Sequence, residues 1–536
     1  MKKAPFLYYI SVVLKEANFL ILTSYLDRSY VMGKLYVVGP SRIGVIKPEL
    51  YGHFAEHIGG VIYDGIYVGK DSKVENVNGF RKEIIDKLKA INAPVVRWPG
   101  GCFAEIYDWR DGIGKDRPTR VNWWTKNDGR YETNEVGTHE FASFCDLVGA
   151  KPYFAANLTT VNPLTVRDWI DYTTTPEGKT TLAKEREANG HKEPFDIPWW
   201  GIGNENWGGG GNMTPEYYAL EFRRYATVAC NTNPNIKCIA CGPDGENWEW
   251  TRRFLEVARE KPELIDGLAL HYYCFNWKDD VIKIEESDWY RMLWQAARVQ
   301  YLIARHWAYV VGYGLDRRVK LYIDEWGAWH RKDLNHGYGP TMGANLFEQQ
   351  STVRDAAMSA IYLNAFNNNC DKVDMANAAQ VVNNLHCLFL ANGENCITTP
   401  TYHVFDMFKT HMGGEALRTE NTFGTLTFKG ARGEDLLLSR VYSSASFKDG
   451  RLTVTAVNTS PNEAIDLELC TVGFEPDGDG TYSVLQGVDI NDHNTFEEPE
   501  RVKPRVYELK KEDIGSISVP AASVISIVIP VKDCRA

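Results

Sequence analysis

Between about residue 51 and residue 385 the chain repeats one pattern: a short apolar run, a stretch of helical periodicity, then another short apolar run. The runs are VVRWPGG (95–101), KPYFAANL (151–158), WWGIGNEN (199–206), IKCIACGP (236–243), GLALHYY (267–273), KLYIDEW (320–326) and VDMANAAQVVN (373–383). YGHFAE supplies an eighth near 51–56. Runs this short are too brief for buried helices, and strands that alternate with helices pair in parallel. Eight of them predict a closed (β/α)8 TIM barrel. An open doubly wound sheet is the alternative, but no Gly-rich dinucleotide loop follows an early run. The intervening segments carry helix signals. RKEIIDKLKAIN sets Ile84, Ile85, Leu88 and Ile91 on one face. In TPEYYALEFRRYATVAC, Thr214 can cap, Pro215 suits the first turn, and Tyr218, Phe222, Tyr225 and Ala229 recur at helical spacing.

After about residue 412 the texture changes to β-rich runs broken by Gly, Asn, Asp and Pro: DLLLSRVYSSAS, RLTVTAVNTS, AIDLELC, TYSVLQG and SVISIVIPV. These predict a C-terminal all-β sandwich of jelly-roll type. The early stretch KLYVVGPSRIGVIKPELY is strand-like, precedes the barrel, and is expected to return to that sandwich. The expected division is 32–50 as the joining strand segment, 51–400 as the catalytic barrel and 401–536 as the sandwich. Residues 1–31 are set apart as a start-site extension or a disordered lead, since Lys15 and Glu16 end the apolar run and no small-residue cleavage site follows. Eleven scattered cysteines form no disulfide framework. Cys238-Ile-Ala-Cys241 has no second pair and reads as core thiols rather than a zinc site. The expected setting is cytoplasmic.

A net charge of −11 excludes the basic footprint of a nucleic-acid binder and disfavours an anionic membrane surface. Sixteen Trp, in a chain that is 12% aromatic, lean towards a carbohydrate ligand without deciding it, because such rings also fill cores. In a barrel of this kind, chemistry gathers at the C-terminal ends of the strands. Two acids stand there: Glu205 in WGIGNEN, ending the fourth strand, and Glu325 in YIDEWG, ending the seventh. Those strands face each other across a barrel mouth, so a separation of 120 residues (325 minus 205) becomes a short distance. Opposed carboxylates are what glycoside hydrolysis requires. A bland reading, in which each Glu pairs with an Arg or caps a helix, fits one strand-end acid better than two. Alternation along the strand turns Asp324 away from Glu325.

GNEN and DEWG at these two strand ends resemble the acid/base and nucleophile motifs of clan A glycoside hydrolases. With YGHFAEHIGGVIYDGIYVG, RWPGGCFAEIYDWRDGIG, VGTHEF, WGIGNENWGGGGNM, LHYY, YIDEWG and ANAAQVVN in order, the chain is similar to family 51 α-L-arabinofuranosidases from about residue 51 to 383. The resemblance implies Glu205 as general acid/base and Glu325 as nucleophile. It implies Asn204 at the sugar 2-hydroxyl, and Glu56 and Gln380 as further sugar contacts. It implies a tyrosine hydroxyl on the nucleophile, either Tyr273 or its neighbour Tyr272. His271 fits an orienting role. Cys102 stands where many members carry Asn after the Pro-Gly-Gly turn, which bears on the hydroxyl contact; packing alone is the other reading. Trp109, Trp123, Trp124 and Trp207 are candidates for stacking on the leaving group, with core or lid positions as the plain alternative.

The implied activity is retaining, exo-acting removal of terminal α-L-arabinofuranosyl residues from arabinan- or arabinoxylan-derived oligosaccharides. No metal or organic cofactor enters the scheme, and the implied assembly is a homo-oligomer such as a hexamer. Two other readings use the same residues differently: a β-xylosidase or endoglucanase, and a non-catalytic carbohydrate-binding protein. At a carboxyl separation of about 5–5.5 Å, one ionised acid is expected to raise the pKa of the other.

Overall fold

The computed structural model describes residues 31–126, 129–276, 281–330 and 345–535. The lead set apart at 1–31 therefore lies outside the described residues, except for Val31. Eight parallel strands close into a ring in chain order: Gly52–Phe54, Val95–Trp98, Lys151–Ala156, Trp199–Ile202, Lys237–Ala240, Gly267–Asn276, Lys320–His330 and Val373–Ala379. Six fall within their apolar runs, while Gly267–Asn276 and Lys320–His330 start with theirs and continue three and four residues beyond. The ring closes where Asn377, Ala378 and Ala379 pair with Gly52, His53 and Phe54.

Seven of the strands send one residue each to the barrel's inner plug: Val95, Tyr153, Trp199, Ile239, Ala269, Tyr322 and Met375. Side chains two residues apart share a face of a strand. The plug therefore sets the phase of everything above it. Val95 leads to Arg97, Ala269 to His271, and Tyr322 to Asp324. The inner layer changes from apolar to charged within one step towards the mouth.

Outside the ring, the helices bury the faces read from their periodicity. Helix Lys82–Ala90 buries Ile84, Ile85 and Leu88. Helix Pro215–Thr232 buries Tyr218, Phe222, Tyr225 and Ala229, and the Thr214 side chain accepts from the Tyr217 backbone N–H at its start. Between strands and helices lies a cluster of rings. Trp98 stacks on Phe141 at 5.0 Å, and Trp169 stands edge-on to Trp200 at 5.1 Å.

The second region is one long sheet that curls around its own core. Its path runs through 505–509, 480–485, 523–533, 451–458, 441–448, 415–421, 31–45, 465–472 and 517–519. The Tyr482 hydroxyl donates to the Ser518 carbonyl at 2.7 Å, so strands from opposite ends of that path meet. Leu35, Leu417, Leu467 and Ile527 share the enclosed core. Strand Val31–Val45 lies parallel to Ile465–Val472 and antiparallel to Glu415–Asn421.

Helix Val353–Asn367, buried at every residue, joins the two regions. Asn364 Oδ1 accepts from the hydroxyls of Ser444 and Thr455, each at 2.7 Å, and Nδ2 donates to the Tyr442 carbonyl at 3.3 Å. The Trp289 indole N–H donates to the Thr459 carbonyl at 2.8 Å. Asn364→Ala strips one partner each from two buried hydroxyls and one carbonyl. The expected cost is about 2–4 kcal/mol of stability. Denaturant unfolding checks it; a variant within 0.5 kcal/mol of the parent, roughly the scale of a surface change, contradicts this account of the joint.

Candidate active site

The fourth barrel strand ends at Ile202, and the chain then turns sharply. Gly203 has φ +87 and Glu205 has φ +43. A left-handed backbone at a non-glycine residue is strained and persists only where its surroundings hold it. Here the holder is Glu105. Its Oε1 accepts from the Asn204 backbone N–H at 2.7 Å and from Asn206 Nδ2 at 2.8 Å. Its Oε2 accepts from the N–H groups of Leu158 and Thr159, both at 2.8 Å. The glycine run after Glu205 folds back over the same turn. A Cβ at Gly210 would lie 1.8 Å from the Asn204 carbonyl oxygen, and one at Gly209 would lie 2.7 Å from Cys102 Sγ.

On the seventh strand, pairing with the sixth slips by one residue between Tyr322–Ala269 and Glu325–His271. The extra residue is a bulge, and bulges re-aim side chains. Asp324 keeps the inward phase set by Tyr322 and accepts from the Tyr153 hydroxyl at 2.7 Å. Glu325 is turned inward as well. The alternation argument, which sent Asp324 to the far side from Glu325, is thereby corrected: both lie against Arg97.

Arg97 is almost wholly buried at the end of the second strand. Its Nη1 donates to Glu325 Oε1 at 2.9 Å, its Nη2 to Asn204 Oδ1 at 2.6 Å, and its Nε lies 3.8 Å from Asp324 Oδ2. One guanidinium therefore ties together residues from strands two, four and seven. Burial alone would make it easier to deprotonate, but Asp324 and Glu325 outweigh that and hold it cationic.

The other oxygen of the nucleophile candidate, Glu325 Oε2, accepts from the Tyr273 hydroxyl at 2.8 Å and lies 3.5 Å from His271 Nδ1. Tyr272 points outward to the Gln295 carbonyl, so Tyr273 is the pocket tyrosine. His271 Nδ1 is 2.9 Å from Glu205 Oε1. The donor atoms of Glu205, His271 and Glu325 all lie within 4.8 Å of one another. By donor type this trio could ligate a cation. The buried Arg97 charge already occupies Glu325, and a second cation beside it would meet repulsion.

Protons are distributed differently from the expectation that one acid raises the other. Burial favours a neutral imidazole, but Glu325's charge and the hydrogen bond and charge of Glu205 prevail, and the pKa of His271 is raised. Burial pushes Glu205 up, but the bond and charge of His271 pull it below its ordinary value. Both shifts favour a protonated His271 beside an ionised Glu205. The expectation of a raised Glu205 is corrected, because the hydrogen bond and charge of His271 outweigh burial.

Above this trio is a narrow pocket whose walls include Glu56, Cys102, Trp124, Trp329, Phe347 and Gln380. Its atom-free space is about 380 Å³ counted out to the mouth. Glu56 accepts from the Phe103 backbone N–H at 3.0 Å and the Trp124 indole N–H at 3.1 Å, and Gln380 Oε1 accepts from its backbone N–H at 2.9 Å. A Cβ on Gly101 would sit 3.0 Å from Glu56 and 3.2 Å from Glu325, so a side chain there would press on both acids. Burial above all, then the charge of Glu325, pushes the Glu56 pKa up to about 8. Cys102 Sγ lies 3.4 Å from Glu205 Oε2.

Of the residues expected at the site, Glu56, Cys102, Asn204, Glu205, His271, Tyr273, Glu325 and Gln380 converge, and Trp124 joins the pocket wall. Trp123 lies beside Trp124 but is not part of that wall, and two further candidates do not reach it. Trp109 is buried in the ring cluster, parallel to Trp169, with its N–H on the Thr165 carbonyl, so it cannot stack on a ligand. Trp207 is partly buried, donates to the Gly242 carbonyl at 3.2 Å, and does not line the pocket. Arg97, Glu105, Trp329 and Phe347 were not singled out in the sequence. The phase of Arg97 behind Val95 and the place of Trp329 beyond DEWG were the available signals.

Two family descriptions match the chain: the α-L-arabinofuranosidase 1 domain over residues 87–290 and the α-L-arabinofuranosidase C-terminal domain over 324–523. The chain is 33% identical over 494 residues to an intracellular exo-α-L-arabinofuranosidase of Bacteroides ovatus, covering 90% of this chain and 93% of that one. It is 29% identical to an intracellular exo-α-(1→5)-L-arabinofuranosidase of Streptomyces lividans, covering 86% and 70%. Among solved structures, it is similar to a family 51 arabinofuranosidase from Xanthomonas axonopodis, with TM-score 0.84, 33% identity, and coverage of 93% and 99%. An arabinose complex of a Thermotoga maritima α-L-arabinofuranosidase superposes with TM-score 0.81 at 27% identity, covering 92% and 99%.

The Glu56 environment has a measurable consequence. Its pKa in the fold, about 8, stands above the ordinary 4.5, so the fold prefers the neutral acid. Stability from this group is complete below about pH 4.5 and is lost as pH rises towards 8. Glu56→Gln keeps the neutral shape and lacks that loss. Its melting temperature relative to the parent should therefore climb between pH 4.5 and 8 and level off above. A difference that stays flat with pH, or falls, contradicts the buried neutral acid.

Proposed function

From the premise that this chain belongs to the family 51 α-L-arabinofuranosidases, we propose that it releases terminal α-L-arabinofuranosyl residues with retention, using Glu325 as nucleophile and Glu205 as acid/base. The observation that carries the reading is the Glu205–His271–Glu325 cluster, whose ligand atoms lie within 4.8 Å of one another beneath a narrow pocket. Inverting enzymes need carboxyls about 6.5–9.5 Å apart to admit water; retaining ones work at about 5–5.5 Å.

Glu325 Oε2 attacks the anomeric carbon as the glycosidic C–O bond breaks, and the departing oxygen takes a proton from Glu205. That proton comes from the store on His271, 2.9 Å from Glu205 Oε1. Arg97 and Tyr273 hold the two oxygens of Glu325 at 2.9 and 2.8 Å, so the attacking carboxylate is aimed before substrate arrives. Once Glu325 is an ester its charge is gone. His271 has by then given up its proton by way of Glu205, and Glu205, as a carboxylate, deprotonates the water that cleaves the ester; that proton returns to His271 as Glu325 is freed as a carboxylate. Asn204 has Oδ1 committed to Arg97, and Nδ2, which donates to Cys102 Sγ at 3.8 Å, has a second N–H for the sugar 2-hydroxyl. Glu56, Cys102 and Gln380 contact the remaining hydroxyls. The small pocket, set against a larger hollow beside it, suits one terminal sugar and hence exo action on arabinose-containing oligosaccharides.

The intracellular names of the Bacteroides and Streptomyces relatives support a cytoplasmic setting. No helix among the described residues is long and apolar enough to cross a membrane. A homo-oligomer, up to a hexamer, belongs to the same reading.

Glu325→Ala should lose turnover of an aryl α-L-arabinofuranoside by at least about 10³-fold. Azide should restore part of it and yield the β-configured arabinofuranosyl azide. Unchanged turnover removes Glu325 from the mechanism. Faster wild-type turnover of an aryl β-xyloside than of the arabinofuranoside overturns the substrate.

A further inference from the structure

Glu132, on the loop after strand two, is a buried acid that the mechanism above does not use. Its Oε2 is 2.8 Å from His57 Nδ1. Its Oε1 accepts from the Tyr63 hydroxyl and, at 2.9 Å, from the Asn134 backbone N–H. We infer that Glu132 is a positioning residue for the sugar-contacting acid Glu56: it fixes the His57 ring and the loop after strand two, and the two N–H groups that Glu56 Oε1 accepts depend on that ring and that loop. The inference rests on the role given to Glu56 above.

The ring is held from both edges. The Trp98 indole N–H can only donate, and it meets His57 Nε2 at 3.0 Å. Nε2 is therefore the accepting nitrogen, so the imidazole hydrogen is on Nδ1 and is given to Glu132. Phe103 stacks on the ring so fixed, with centroids 4.7 Å apart and planes 17° from parallel. The Phe103 backbone N–H is one of the two donors to Glu56 Oε1, at 3.0 Å.

The loop supplies the other donor. Glu132 and Arg120 exchange backbone hydrogen bonds at 2.8 and 2.9 Å, which pairs the two arms of the loop. Two residues past Arg120, Asn122 Nδ2 donates to the His57 carbonyl at 2.8 Å, and Asn122 Oδ1 accepts from the Trp124 backbone N–H at 3.0 Å. The Trp124 indole N–H then reaches Glu56 Oε1 at 3.1 Å. The loop thus holds His57 twice, by its ring through Glu132 and by its carbonyl through Asn122. Both donors to Glu56 Oε1 hang from this one buried pair, and His57 is itself the next residue after Glu56.

The place demands a carboxylate. Three donors converge on Glu132, and an ionised carboxyl is acceptor-only, with about four lone-pair sites. A glutamine has one acceptor oxygen and an N–H₂ group. Whichever way it turns, the N–H of His57 or that of Asn134 faces that N–H₂. Glu132→Gln therefore keeps the size of the side chain and breaks the hold.

The test is steady-state hydrolysis of 4-nitrophenyl α-L-arabinofuranoside by the full-length protein. Glu132→Gln should raise KM about tenfold while kcat stays within about threefold, because the loss falls on how the sugar is held. A merely structural role would lower the active fraction, and with it kcat, and leave KM in place. In a Glu56→Ala background the target of the positioning is gone, and Glu132→Gln should then change kcat/KM by less than about twofold. Asn122→Ala frees the His57 carbonyl and leaves the Glu132 carboxylate intact; it should raise KM about threefold, and it decides the matter if Glu132→Gln does not fold. An unchanged KM, or a change of the same size in the Glu56→Ala background, overturns the inference and leaves the catalytic assignment standing. A parent protein that does not hydrolyse this substrate overturns that assignment, and the inference with it.

Discussion

One buried positive charge organises the barrel mouth. Arg97 lies beneath the surface, where an unpaired guanidinium would cost several kcal/mol. It is therefore obliged to have partners, and strands four and seven supply them: Asn204 at 2.6 Å and Glu325 at 2.9 Å, with Asp324 behind. The obligation runs both ways, because Glu325 and Asp324 are equally costly to bury alone. The bulge on strand seven is what lets two successive acids face the same cation. Glu105 does the corresponding work from below, giving four N–H groups of the strand-three and strand-four turns one carboxylate to converge on.

The proton economy follows from that frame. Three acids crowd the pocket, and each is set by its neighbours rather than its type. Glu205 is pulled down by an imidazole in contact with it, and Glu56 is pushed up to about 8 by burial and by Glu325. His271, between two carboxylates, is raised despite its burial. An acid/base residue must give a proton in one step and take one in the next. In the proposed mechanism His271, whose affinity for a proton depends on whether Glu325 is charged or esterified, provides that alternation.

The strands of the barrel were legible because each is a short apolar run bounded by a polar mouth residue, and helix faces such as Ile84, Ile85 and Leu88 follow from spacing alone. Glu205 and Glu325 were legible because chemistry in such barrels gathers at strand ends. What stayed hidden depends on contacts that no local pattern encodes. Arg97 looks like any strand-end arginine until the plug residue Val95 fixes its phase. Strict alternation separated Asp324 from Glu325, and a one-residue slip against strand six reunited them. Tyr272 and Tyr273 could not be told apart by composition, only by which one faces the ring's interior. For Trp109 the loop position left stacking and a core position both open, and the rings of Trp169 and Tyr172 place it in the core.

The most direct measurement of the central claim is stereochemical. When an aryl α-L-arabinofuranoside is cleaved in the presence of methanol, proton NMR of the first product formed reports which face of the sugar was open. Two acids meeting across one pocket, with a covalent intermediate between them, give methyl α-L-arabinofuranoside. The β-methyl furanoside would mean a single displacement, and with it a pair of carboxyls too far apart for the geometry described.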